Sequence, residues 1–145
     1  MLKVLLVDDE PFIVQGLSAL IDWEKEGFEI VGTAGNGSEA VEFLKSNPVD
    51  LILADIKMPV MNGLEFLKYI RETHLSEAFF VILSGYGDFT YAKEAIKWQC
   101  TDYILKPIQK SQLLALLSKV KQMQQDKKEE SERIRKIGKA YFVQQ

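Results

Sequence analysis

Short apolar runs alternate with amphipathic stretches over most of the chain. This alternation predicts parallel strands joined by crossover helices. Most of the runs are apolar nearly throughout, as expected of strands covered on both faces; they lie at 3–7, 29–34, 51–54, 79–83 and 103–105. Apolar residues recur at helical spacing at 11–21, 38–44, 63–71, 89–98 and 111–123, and Ser38 is a candidate N-cap. The pattern therefore predicts an α/β fold of the (βα)5 type.

Length and hydropathy narrow the class of protein. With 145 residues, 47% of them apolar, the chain is long enough for one domain with a buried core. The longest apolar run, 78–83, is far shorter than the roughly 18 residues that a membrane-spanning helix needs. The apolar start at 1–7 meets acidic residues without a cleavage site. Cys100 is the only cysteine, which fits a reducing compartment. We expect a cytoplasmic protein without a membrane segment.

Charge is distributed unevenly along the chain. Residues 1–120 carry 11 Lys and Arg against 17 Asp and Glu, a net charge of −6, whereas residues 121–145 carry 7 against 4, a net charge of +3. Binding to a nucleic-acid backbone depends mainly on Lys and Arg that neutralise phosphates. The acidic part of the chain is therefore not expected to bind DNA directly.

Polar side chains follow four of the five predicted strands. Asp8 and Asp9 follow the first strand, Asp55 the third, Ser84 the fourth and Lys106 the fifth. Ligands of open parallel sheets bind at this edge. Three carboxylates there repel one another by about 4 kcal/mol per pair at about 4 Å and an effective dielectric near 20. Lys106 can offset part of this repulsion, and Mg²⁺, which prefers oxygen ligands, is the favoured ion for the rest.

A carboxylate beside such an ion can act as a nucleophile and form an aspartyl phosphate. Asp55 is the best candidate because it stands alone at the end of the central strand, while Asp8 and Asp9 suit ion binding. Lys106 and Ser84 can share the charge of the transferred phosphoryl oxygens. Each residue has a simpler interpretation as a helix cap, a first-turn acid or a turn residue. The complete set favours the phosphoacceptor hypothesis.

These residues resemble the receiver domain of two-component response regulators. The matching segments lie at 4–11, 50–59, 62–63, 84–85 and 102–107. The resemblance covers about residues 1–123, the predicted receiver domain. It implies a flavodoxin-like, doubly wound five-stranded parallel sheet with strand order 2-1-3-4-5.

The resemblance also implies a role for each matching residue. Asp55 would accept a phosphoryl group from a sensor histidine kinase. Asp9 and Asp55 would bind Mg²⁺ directly, Asp8 through water and Lys57 through its backbone carbonyl. Lys106 would contact the phosphoryl oxygens. The domain would catalyse only its own phosphorylation and dephosphorylation.

Switching would involve Ser84 and Tyr103. Ser84 would move toward the phosphate and Tyr103 would change rotamer, which alters the face formed by helix 4, strand 5 and helix 5. Three positions depart from the family pattern or vary within it. Gln99 stands where many relatives have glycine, so helix 4 cannot use the glycine left-handed cap and is expected to end differently. Lys57 and Tyr86 occupy positions associated with the rate of dephosphorylation.

The segment 84–95 looks like the subgroup whose longer members end in an AraC-type helix-turn-helix domain, which would bind DNA and regulate transcription. No such domain is contained in these residues. Residues 124–145 are predicted to be a charged helical linker or a short coiled coil leading to that output domain. The heptad a positions are Leu113, Val120, Lys127, Ile134 and Tyr141, and the d positions are Leu116, Met123, Glu130 and Ile137. A homodimer would use the switch face or this helix.

Three alternatives stay open from the residues alone. A phosphohydrolase with an aspartate nucleophile often has a second acid two residues later, where this chain has Lys57. A flavin-binding module on the same fold would place its phosphate at the acidic segment 8–10, which repels it. An interaction domain that is never phosphorylated would not need the complete set of strand-end residues.

Overall fold

The computed structural model describes residues 1–85 and 89–143, and side chains within them except those of 89, 90 and 139–143. Strands and helices alternate along these residues. The strands are β1 (Leu2–Val7), β2 (Phe28–Ala34), β3 (Leu51–Asp55), β4 (Phe79–Ser84) and β5 (Asp102–Leu105). The helices are α1 (Pro11–Leu20), α2 (Gly37–Leu44), α3 (Gly63–Glu72), α4 (Phe89–Lys97) and α5 (Lys110–Val143).

The strands form one sheet in the order β2-β1-β3-β4-β5, and every pairing is parallel. This arrangement confirms the predicted (βα)5 fold and its strand order. The register pairs Val7 with Ala54 and Asp55 with Leu83, so β1, β3 and β4 end close to one another. All five residues of β3 are buried, as expected for a central strand covered on both faces.

One face of the sheet packs against α2, α3 and α4. Alternate strand residues such as Ile52 and Phe80 point to this face and join a buried cluster with helix residues such as Phe66 and Ile70. The rings of Phe66 and Phe80 lie 5.5 Å apart between centroids, within the range of favourable aromatic pairs. This packing fixes the helices that surround the carboxyl edge of the sheet.

The N-terminus of α2 differs from the sequence prediction. Asn36, rather than Ser38, is the N-cap, and its side chain accepts a hydrogen bond from the backbone nitrogen of Glu39. The helix therefore begins at Gly37, one residue earlier than predicted. A Cβ atom at Gly37 would lie 2.7 Å from Met61 and 2.8 Å from Phe66. The tertiary contact selects glycine there, and the cap falls on the residue before it.

The end of α4 also differs from the prediction. Gln99 adopts a left-handed conformation with φ of 63°, so the helix does end with a left-handed cap although no glycine is present. The backbone nitrogens of Gln99 and Cys100 donate to the carbonyls of Ile96 and Ala95, which is the Schellman pattern. These two hydrogen bonds stabilise a backbone conformation that is unfavourable for a residue with a Cβ atom.

The chain divides into two compact units between Lys110 and Ser111. In the second unit α5 runs without interruption to Val143. Leu113, Leu116, Leu117 and Val120 are buried, whereas Ile134 and Ile137 are 60% and 63% exposed. The side chain of Tyr141 lies outside the described residues. The boundary between a receiver at 1–123 and a connector at 124–145 stays a prediction.

No helix within residues 1–85 and 89–143 is both long and apolar enough to cross a membrane.

Candidate functional site

The carboxyl edge of the sheet brings together three acids predicted from the sequence. Asp8 directly follows β1, and Asp55 is the last residue of β3. One carboxylate oxygen from each of Asp8, Asp9 and Asp55 lies within 4.8 Å of the other two. Asp8 and Asp55 are buried, and Asp9 is exposed. The cluster is therefore an acidic pocket with one carboxylate at its solvent side.

Lys106, directly after β5, reaches into this acidic cluster. Its Nζ lies 2.7 Å from Oδ2 of Asp8 and 3.2 Å from Oδ2 of Asp55. Its backbone nitrogen donates to the carbonyl of Ser84 at 2.6 Å, which anchors β5 to the end of β4. The Lys106–Pro107 peptide bond is cis. A single ammonium thus bridges two buried carboxylates.

The pKa values of Asp55 and Lys106 depend on burial and on the neighbouring charges. Burial raises the pKa of Asp55, and the nearby charge of Asp8 raises it further, while the Lys106 charge and hydrogen bond lower it. Burial lowers the pKa of Lys106, but its hydrogen bond to Asp8 and the charges of both acids outweigh this effect and raise it. Lys106 therefore stays protonated while it pairs with the acids.

Backbone groups orient both buried carboxylates. Oδ1 of Asp55 accepts a hydrogen bond from the Ile56 nitrogen at 2.7 Å, and Oδ1 of Asp8 accepts one from the Glu10 nitrogen at 2.9 Å. In each acid one oxygen is held by the backbone and the other faces Lys106. Charge-assisted hydrogen bonds of this kind hold a carboxylate in one orientation.

The loop after β3 closes tightly behind Asp55. The backbone nitrogen of Gly63 donates to the carbonyl of Ile56 at 2.8 Å. A Cβ atom at Gly63 would lie 2.1 Å from the carbonyl oxygen of Asp55, so only glycine fits. Asn62 and Glu65 form a capping box at the start of α3. The Asn-Gly pair in the sequence thus has a steric role at the site.

A cavity of about 250 Å³ lies over Asp55. Its polar lining includes Asp9, Ser84 and Lys106. Ile13, Ile56 and Tyr91 contribute apolar walls. Ser84 is the last residue of β4 and is buried, so the structure places it beside the acids as the strand order requires.

Two residues predicted from the sequence, Lys57 and Tyr103, are not part of the group formed by the three acids and Lys106. Lys57 lines the same cavity with an exposed side chain, and the metal-ligand role of its carbonyl stays a prediction. Tyr103 lies in β5 opposite Ile82, and its buried hydroxyl has no hydrogen-bond partner among the described residues. Tyr86 lies outside the described residues.

Sequence reasoning missed Tyr91 as a residue of the site. The apolar spacing of α4 suggested only a core contact, and the ring does pack against the buried cluster. The same ring also lines the cavity over Asp55. Helical periodicity identifies the inward face of a helix but does not show which of its residues reach the end of a strand.

The acidic cluster suits a hard divalent cation. Its donors are carboxylate oxygens, the ligands that Mg²⁺ prefers, and three of them lie close together. Lys106 is the basic residue paired with the cluster within the described part of the chain, so negative charge is left over. The residues present therefore fit such an ion.

A family model for the response regulator receiver domain matches residues 4–118. The chain belongs to the response regulator receiver domain family. This match confirms the resemblance seen in the sequence and identifies this receiver domain as a signalling domain.

Relatives of this receiver domain include regulators of transcription. It is 40% identical over 120 residues to the transcriptional regulatory protein YesN of Bacillus subtilis, with 83% of this chain and 32% of YesN covered. The receiver domain thus spans about a third of the length of that relative.

Solved structures resemble it as well. The REC domain of AraT, a response regulator from Geobacillus stearothermophilus, has a TM-score of 0.80 and 38% identity, covering 88% of this chain and 98% of that chain. A chain of the CheX–CheY–BeF3–Mg²⁺ complex from Borrelia burgdorferi has a TM-score of 0.74 and 31% identity, covering 82% of this chain and 88% of that chain.

Proposed function

We propose that this receiver domain accepts a phosphoryl group on Asp55 from a sensor histidine kinase in a reaction that depends on Mg²⁺. The observation that carries the proposal is the position of Asp55. Its carboxylate lies at the end of the central strand, within 4.8 Å of two other acids and 3.2 Å from Lys106. A buried acid with this neighbourhood suits nucleophilic chemistry at phosphorus.

In the transfer, a carboxylate oxygen of Asp55 forms a bond to phosphorus as the bond from phosphorus to the kinase histidine nitrogen breaks. The electron pair of the broken bond stays on that nitrogen, so atoms and charge balance. The Ile56 nitrogen holds Oδ1 of Asp55 at 2.7 Å, which orients the carboxylate before the reaction. Lys106, 3.2 Å from Oδ2, is positioned to contact the incoming phosphoryl oxygens.

The same residues provide the ion site. Asp9 and Asp55 would bind Mg²⁺ directly, Asp8 through water, and Lys57 through its backbone carbonyl. When bound, the ion neutralises negative charge on the carboxylates and phosphoryl oxygens. The similar Borrelia complex contains Mg²⁺, and this likeness supports the assignment together with the close oxygen donors of the cluster.

Phosphorylation would act as a switch through Ser84 and Tyr103. Ser84 lines the cavity over Asp55, so a phosphoryl group there would offer its hydroxyl new acceptors. Tyr103 has a buried hydroxyl without a described partner, and leaving a buried polar group unpaired is costly. A change of Tyr103 rotamer would relieve this cost and shift the population at the face of α4 and β5.

An apolar cavity beside the site provides a docking surface for the kinase. It has a volume of about 510 Å³ and is lined by Phe12, Leu20, Lys106 and Ile108 among others. Phe12 is 84% exposed, and together with the apolar lining of this cavity it forms an exposed apolar surface of the kind that marks interaction sites. A helix of the kinase that fills this cavity would bring its phosphohistidine close to Lys106.

The output would lie in another part of the protein. The relative YesN is a transcriptional regulatory protein, and the subgroup resemblance points to a helix-turn-helix domain that binds DNA. The receiver would work in the cytoplasm, where it would catalyse only its own phosphorylation and dephosphorylation.

The test is the intact mass of the chain after incubation with Mg²⁺ and acetyl phosphate, a small phosphodonor. We expect one labile phosphoryl addition, which is lost with a chelator and absent from Asp55→Asn. Asp50→Asn is the matched control, because Asp50 precedes the same strand at its opposite end, where it accepts a hydrogen bond from Lys3. No addition to the wild type, or equal addition to Asp55→Asn, would contradict the proposal.

A further inference from the structure

Tyr91 lies beside the cavity over Asp55 and two neighbouring cavities. The first neighbour has a volume of about 380 Å³ and is bordered by Asp9, Lys57 and Met58 among others. The second has a volume of about 210 Å³ and runs past Glu65. Tyr91 lines all three cavities. Its side chain is therefore a shared wall, and removing it would join spaces that it now divides.

The Tyr91 ring is held in place by packing on one side. It is half-buried and contacts the buried cluster that joins the sheet to α2, α3 and α4. A packed aromatic ring has few accessible rotamers. The ring therefore stays in one position in the wall of the cavity.

Three apolar residues line the cavity over Asp55. Ile56 is buried and immediately follows Asp55, and Ile13 belongs to α1. Tyr91 comes from α4, on the side where the two neighbouring cavities open. Of these three apolar walls, Tyr91 is the one whose loss would connect the acceptor to both of those cavities.

We propose that the Tyr91 ring limits the access of water to phosphorylated Asp55 and so sets the lifetime of the phosphorylated state. This inference rests on the proposed function. In the loss reaction a water oxygen forms a bond to phosphorus while the bond from phosphorus to the Asp55 oxygen breaks. The electron pair of that bond returns to the carboxylate, inorganic phosphate leaves, and the proton of the attacking water passes to phosphate or solvent.

Water must approach phosphorus opposite the Asp55 oxygen, because the attacking and leaving oxygens lie in line. That direction leads into the cavity of which Tyr91 forms a wall. The ring acts by occupying volume, not through its hydroxyl. Tyr91→Phe therefore keeps the barrier, whereas Tyr91→Ala removes it.

The test uses the full chain, phosphorylated with acetyl phosphate and Mg²⁺ and then freed of the donor. Loss of the phosphoryl mass is followed with time. We expect Tyr91→Ala to lose the group about fivefold faster than the wild type, equivalent to about 1 kcal/mol in activation free energy. Tyr91→Phe should stay within about twofold, a difference of less than half a kcal/mol.

Tyr69→Ala is the matched control. Tyr69 is a tyrosine of α3 with 39% exposure, and it lies outside the linings of these three cavities. Its removal should leave the rate of loss unchanged. Mg²⁺ affinity, measured by titration calorimetry, should be the same in all variants. Unchanged affinity would show that faster loss of the phosphoryl group comes from the access of water and not from a damaged ion site.

Equal rates in Tyr91→Ala and wild type would overturn the inference, as would a Tyr91→Phe rate equal to that of Tyr91→Ala. If thermal unfolding shows that Tyr91→Ala does not fold, Tyr91→Leu replaces it and should lose the group faster than the wild type and Tyr91→Phe. A wild-type chain that takes up no phosphoryl group would overturn the proposed function itself. A phosphorylated wild type with unaltered variants would overturn only the role of Tyr91.

Discussion

The ammonium of Lys106 lies 2.7 Å from the carboxylate of Asp8, although the two residues are 98 positions apart in the chain. They follow β5 and β1, which are separated in the sheet by β3 and β4. The long aliphatic stem of lysine allows the charge to reach across. Together with the contact of Lys106 with Asp55, this pair links the end of the edge strand β5 to the acidic pocket.

Lys106→Met should destabilise the chain when Mg²⁺ is absent. The substitution keeps the apolar stem but leaves two buried carboxylates without their cation, a loss of about 2 kcal/mol in the free energy of unfolding. Mg²⁺ should then restore more stability to this variant than to the wild type. Urea unfolding with and without Mg²⁺ measures both effects. Equal destabilisation under the two conditions would show that the carboxylates are not what the lysine stabilises.

Lys106→Met should also impair phosphorylation but not Mg²⁺ binding, which should be tighter than in the wild type because the ammonium that competes with the ion for the carboxylates is gone. The oxygen ligands remain, but the cation that would contact the phosphoryl oxygens is gone. Calorimetric titration of Mg²⁺ and intact mass after treatment with acetyl phosphate separate the two properties. Normal phosphorylation of this variant would argue against the role assigned to Lys106.

Phe12→Ala should slow transfer from the sensor kinase but not from acetyl phosphate. Phe12 is 84% exposed beside an apolar cavity, so its removal costs docking surface and leaves the acceptor untouched. Truncation of an aromatic anchor commonly weakens an interface by about 2 kcal/mol or more. Rates from a phosphorylated kinase and from the small donor are compared, with Phe12→Tyr as control. Equal slowing with both donors would place the defect in the acceptor site.

Gln99→Gly should stabilise the chain by about 0.5–1 kcal/mol, because glycine adopts the left-handed conformation without strain. Gln99→Ala keeps a Cβ atom and should bring no comparable gain. Thermal unfolding of the two variants checks the difference. A gain of the same size with alanine would mean that the side chain, and not the backbone conformation, is responsible.

If the exposed isoleucines of α5 form a coiled-coil seam, Ile134→Lys with Ile137→Lys should lower self-association of the chain. Both side chains are more than half exposed and lie three residues apart on one helix, as heptad a and d positions do. Sedimentation at several concentrations measures the effect, with Gln125→Lys and Glu132→Lys as a control at f positions. Unchanged association would favour the linker interpretation.

The element order and the acceptor set were predictable from local sequence. Continuous apolar runs such as 51–54 identify buried parallel strands, and the topology rule for such sheets then places Asp8, Asp55, Ser84 and Lys106 at one edge. No knowledge of side-chain packing is needed for that inference. The strand order came only with the family resemblance, since alternation does not encode which strands are neighbours.

Tertiary structure decided the features that depend on contacts between distant residues. The Lys106–Asp8 pair requires side-chain reach across two strands. The presence of Tyr91 in the lining of the cavity over Asp55 depends on how α4 packs against the sheet. Capping at Asn36 instead of Ser38 depends on where α2 begins, and its first residue, Gly37, packs against Met61 and Phe66. The left-handed Gln99 is held by hydrogen bonds that outweigh its local preference. Local patterns determine which elements form, because periodicity is a property of neighbouring residues, whereas cavities, caps and ion pairs depend on packing between elements.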